Sequence, residues 1–103
     1  MNTVMHVLQL TPSTLTRRRG EEAGQKVAAY VTAEALTLDF SETSPSLAFL
    51  DGLVLTLHQH GRLYDTTFIS DDVMQKRLAR ISGKHDVVIY VRRAGDQERR
   101  CIA

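Results

Sequence analysis

The chain has 103 residues, of which 43% are hydrophobic and 24% charged, with a formal net charge of +1 and one cysteine. This length predicts a single domain that buries roughly two thirds of its unfolded surface, and the composition excludes a disordered chain. The small net charge excludes strong long-range attraction to nucleic acid or an anionic membrane, and the lone Cys101 excludes an intramolecular disulfide.

Met1 to Leu10 carries no basic and apolar leader pattern, and nowhere do about eighteen apolar residues run together. With a cysteine usage that suits a reducing compartment, the expectation is a cytoplasmic protein. Thr3 to Leu10, with Val4, Val7, Leu8 and Leu10, reads as a first strand closed by Pro12. From Gly20 to about Ala33, the spacing of Ala23, Val27, Ala28 and Val31 predicts a helix, with Glu21 and Glu22 at the positive end of its dipole.

Leu36 to Phe40 alternates as a strand does, and Ser44-Pro45-Ser46 supplies a turn and cap for the next helix. That helix carries Leu50, Leu53, Val54 and Leu57 on one face, with Gly61 as its stop and His58 and His60 near its end. Thr66 to Ile69 is a short strand. Ser70-Asp71-Asp72 then caps a helix bearing Val73, Met74, Leu78 and Ile81, which Gly83 is expected to stop. The unbroken run Val87 to Val91 suits a strand covered on both faces, and a turn at Ala94 to Gln97 leads to a weak last strand over Glu98 to Ile102. The alternation predicts a single small α/β domain with a mostly parallel sheet of four to five strands, three helices and right-handed crossovers.

The strand ending in Leu38-Asp39-Phe40-Ser41 feeds a hydroxyl-rich loop and then Leu47 to Leu53, which brings polar side chains and helix-start N–H groups to one edge of the sheet. That edge is the usual binding site in α/β proteins. These segments resemble the STAS-like domains, relatives of the anti-sigma-factor antagonists. The resemblance rests on Arg19-Gly20, Leu38-Asp39-Phe40, Ser44 to Ser46, Phe49-Leu50-Asp51, Thr67-Phe68-Ile69 and the helix after Asp71, and spans roughly residues 16 to 82.

The resemblance implies a non-enzymatic regulatory module that binds a protein partner, an ATPase or kinase of the histidine-kinase-like superfamily. It places the partner and switch loop at Asp39, Ser41, Ser44, Ser46, Phe49 and Asp51. Relatives have a serine just before the phenylalanine, where a partner kinase phosphorylates it; this chain has Leu47-Ala48 there. The modification would therefore fall on Ser44 or Ser46. Both serines read first as plain helix caps, and Asp39 reads equally well as a solvated strand end.

Other chemistry finds little footing. His58 and His60 stand at i and i+2, pointing apart on a helix, so no shared metal ion is expected. Cys101 has arginine neighbours that would favour its thiolate but no sequence-adjacent histidine. Asp71 and Asp72 read as capping carboxylates rather than an acid–base pair. Gly20 and Gly24 lack the Lys and Ser/Thr of a phosphate loop, so no nucleotide or other cofactor is expected. The alternative function is a small nucleic-acid-associated protein using Arg17-Arg18-Arg19 and Arg92-Arg93 with Arg99-Arg100, although no aromatic residues are interleaved for stacking on bases. Self-association is left open.

Overall fold

The computed structural model describes residues 3–30 and 35–102. In chain order it contains strand β1 (Thr3–His6), a short 3-10 turn (Val7–Gln9), helix α1 (Arg17–Ala29), β2 (Leu36–Asp39), α2 (Leu47–Gln59), β3 (Thr66–Ile69), α3 (Asp72–His85), β4 (Ile89–Arg92) and β5 (Arg100–Ile102). Each helix begins on a side-chain cap. Thr16 accepts from the backbone N–H of Arg19, Ser46 from that of Phe49 and Asp71 from that of Met74. Helix α2 ends as its glycine predicts: Gly61 takes φ +69°, its N–H reaches the carbonyl of His58, and the Arg62 N–H reaches that of Leu57.

The strands lie in the order β1-β2-β3-β4-β5, the first four parallel and β5 antiparallel to β4. Because every parallel crossover steps in the same direction, right-handed connections put all three helices on one face of the sheet. The register agrees: Met5, Leu38, Phe68 and Val91 align across the sheet, and Leu38, Phe68 and Val91 belong to the same core cluster as Phe49, Leu50, Leu53, Val54 and Leu57 of α2, with Met5 packed against it. The neighbouring row, Val4, Thr37, Thr67, Tyr90 and Cys101, belongs to the other face. Ile69 of that second face is buried yet stands outside the core cluster.

The one-sided arrangement corrects the expectation for Val87 to Val91. Ile89 and Val91, on the face that carries the core cluster, are buried, whereas Val88 and Tyr90 of the other face are only partly so. The segment is nevertheless an inner strand, between β3 and β5. Sequential order also leaves no point at which the winding reverses, so the crevice that such a reversal opens in doubly wound sheets is not built.

Several boundaries moved for identifiable reasons. β1 stops at His6, where the chain tightens into the 3-10 turn, and β5 starts only at Arg100. Helix α1 begins at Arg17 rather than Gly20, so Glu21 and Glu22 are not its first turn. Three arginines sit there instead, against the dipole, and pair with carboxylates: Arg17 with Asp51, while Arg18 and Arg19 share Glu22. Val31 lies outside the described residues. Gly83 does not stop α3, which continues to His85 and ends on Asp86 in the left-handed region at φ 54°. The Ser82 hydroxyl, bonded to the Val87 carbonyl at 2.5 Å, holds the later ending in place.

Helices α1 and α2 approach through glycines. A Cβ at Gly20 would lie 2.1 Å from the Phe49 carbonyl oxygen, one at Gly24 2.8 Å from the Thr56 side chain, and one at Gly52 2.5 Å from the Arg17 carbonyl oxygen. Backbones this close carry the first turn of α1 directly over α2. That contact positions the site.

Candidate partner-binding site at the start of the second helix

The loop between β2 and α2 is fastened on both flanks. On one side, the Ser46 N–H donates to the Thr14 carbonyl at 2.9 Å, the Ser46 hydroxyl to the Leu15 carbonyl at 2.8 Å, and the Thr14 and Thr43 hydroxyls meet at 2.8 Å. On the other, the Arg77 guanidinium of α3 donates to the Pro45 carbonyl at 2.6 Å. Held this way, the loop presents Ser41, Glu42, Ser44 and Ala48 to solvent. Its conformation is set before any ligand arrives.

The sequence-predicted residues divide between surface and interior. Asp39 is half-buried, accepts the Ser41 N–H at 2.8 Å, and lies 3.4 Å from His6 Nδ1. Ser41 and Ser44 are exposed, whereas Ser46 is committed to its two hydrogen bonds. Phe49 turns inward, fully buried, with its ring edge-on to Phe40 at 6.5 Å between centroids. Asp51 is buried too, and is the anchor of a polar cluster.

Three helices meet on that carboxylate. Arg17 of α1 donates to Oδ2, Lys84 of α3 donates to the same oxygen at 3.1 Å, and His85 Nε2 lies 2.5 Å from Oδ1. An ionised carboxylate only accepts, so the imidazole nitrogen facing it is the donor. Burial by itself would push the Asp51 carboxyl up; hydrogen bonds from His85, Arg17 and Lys84 outweigh it and hold the pKa at about 2, below the ordinary 3.8. A carboxylate that acidic, with its oxygens occupied, is a poor proton acceptor. Its chemistry is that of an anchor.

Beside the anchor opens a cleft of about 350 Å³ lined by Arg17, Leu47, Ala48, Asp51, Arg80, Ile81 and Lys84. Among the described residues the lining includes neither hydroxyl nor thiol side chain. A second cleft of about 420 Å³ lies at the carboxyl ends of the strands, between Phe40, Ser41, Ser70, Asp71 and Arg93. There Asp71 is used as a helix cap and Asp72 pairs with Arg93.

The cationic group around Asp51 was not grouped by sequence reasoning. Lys76, Arg80 and Lys84 repeat at i, i+4 and i+8, a pattern that marks one helix face, but nothing local ties that face to Arg17 or Asp51. The arginine clusters that did stand out are largely occupied. Arg18 and Arg19 pair with Glu22, Arg93 with Asp72, and Arg99 stacks 3.6 Å over the Tyr90 ring.

His58 and His60 are exposed around the end of α2, and among the described residues no group of three or more His, Cys, Asp and Glu is placed to hold a metal ion. Cys101 is exposed on β5. Among the described residues no helix is long and apolar enough to cross a membrane. No protein-family model matches this chain, and neither a curated protein sequence nor a solved structure is significantly similar to it.

Proposed function

We propose that the protein is a non-enzymatic, regulatory protein-interaction module whose partner docks on the loop from Ser41 to Ala48 and the start of α2. The observation that carries this reading is the loop itself: exposed at Ser41, Ser44 and Ala48, fastened on both flanks, and opening on the cleft between α1, α2 and α3. A surface prepared in this way loses little conformational freedom on binding. The STAS-like segments support a partner of the histidine-kinase-like ATPase class. Of the two candidate serines, Ser44 has the more available hydroxyl, because Ser46 is engaged as donor and acceptor.

The nucleic-acid reading has less support, since four of the arginines that suggested it, Arg18, Arg19, Arg93 and Arg99, are engaged with acids or a ring. The test is site-specific photo-cross-linking in the native host. A cross-linker at Ala48 is expected to capture a protein partner, and one at Gln97, on the exposed turn before β5, is not. Capture from both positions alike, or from neither, would remove the loop as the docking site.

A further inference from the structure

We infer that the cleft between α1, α2 and α3 recognises an acidic, apolar-bearing segment of the partner protein, with Arg80 as the principal free cation. The inference rests on the partner-docking reading above and specifies the chemistry of the segment. Its first support is charge. Three cationic side chains, Arg17, Arg80 and Lys84, line the cleft against one carboxylate, Asp51, so the lining keeps a positive excess after internal pairing.

The cations are unequally committed. Arg17 and Lys84 both reach Asp51 Oδ2, while roughly half or more of each side chain stays exposed, at 48% and 62%. Arg80 is exposed and makes no ion pair or hydrogen bond among the described residues. A guanidinium is preorganised for two-point contact with a carboxylate, and here nothing competes for it.

The second support is the remainder of the lining. Leu47, Ala48 and Ile81 give the cleft an apolar wall. A small inorganic anion would leave that wall uncovered. A nucleic-acid strand would find no aromatic ring in the cleft on which to stack a base. A peptide with carboxylates flanking an aliphatic side chain satisfies both halves, the charges setting specificity and encounter rate while the aliphatic group is removed from water.

The test is fluorescence anisotropy at low salt on the full chain, with a short labelled peptide rich in glutamate and leucine. Comparison probes are a glutamate–serine peptide, a lysine–leucine peptide and a single-stranded oligonucleotide. Saturable binding of the glutamate–leucine probe is expected, weaker for glutamate–serine and absent for lysine–leucine. Arg80→Glu is expected to weaken it roughly tenfold or more, and Arg80→Ala less, the latter with a melting temperature close to that of the wild type because Arg80 has no partner to lose among the described residues. Equal affinity of wild type and Arg80→Glu, no saturable peptide binding, or tighter binding of the oligonucleotide would overturn the inference. A non-acidic segment cross-linked from Ala48 would overturn it too while leaving the docking reading intact; loss of the Ala48 cross-link would remove the docking reading itself.

Discussion

Ser46 shows how a single side chain can be used up by structure. Its hydroxyl caps α2 and also donates to the Leu15 carbonyl, so Ser46→Ala is expected to cost about 0.5–2 kcal/mol, measured by urea denaturation. Ser46→Asp can restore the cap but not the donation, and sets a carboxylate against a carbonyl oxygen. It is expected to destabilise rather than behave as a neutral phosphate mimic. Asp51 carries a pH-dependent contribution. Its folded pKa of about 2 lies below the ordinary 3.8, so its stabilisation is present above the higher value and is lost as pH falls through the lower. The difference corresponds to about 2 kcal/mol. Asp51→Asn is therefore expected to lose about that much at neutral pH and to flatten the stability profile between about pH 5 and pH 2, read from denaturation midpoints across that range.

At the scale of elements, glycines that look alike in sequence behave oppositely. Gly20 lies where α1 meets the backbone of α2, and the Cβ of Gly20→Ala would fall 2.1 Å from the Phe49 carbonyl oxygen, far inside contact distance. The helices must separate to admit it, and a loss of about 3 kcal/mol or more is expected. Gly83 lies exposed inside α3 with no atom within 4 Å of an added Cβ. Gly83→Ala is expected to stabilise by about 0.5–1 kcal/mol through helix propensity alone. Thermal unfolding of the two variants side by side distinguishes a packing glycine from a tolerated one.

The whole molecule is a two-layer structure in which α2 is the central helix, touching α1, α3 and the sheet. Leu53 is fully buried at that junction, and Leu53→Ala is expected to cost about 2–5 kcal/mol by denaturant titration. One-sided coverage also predicts graded protection. β1 is an edge strand with exposed Val4 and His6, whereas β2 and β3 are flanked by strands on both sides. Backbone amides of Leu38 and Phe68 are expected to exchange with solvent more slowly than that of Val4, measured by hydrogen exchange.

By itself the chain dictated what depends on neighbours a few residues apart. The apolar periods of α2 and α3, the caps at Ser46 and Asp71 and the stop at Gly61 are local, and they suffice for an α/β domain with a mainly parallel sheet. Where local signals conflicted, tertiary contact prevailed: α1 takes arginines into its first turn because Asp51, thirty-four residues beyond Arg17, neutralises one of them. The placement of Asp51 and Phe49 inside, the passage of α1 over α2 at Gly20 and the convergence of Arg17, Arg80 and Lys84 were decided by the tertiary structure alone. Coulombic and packing partners are chosen by distance in space, and separation along the chain carries no record of it.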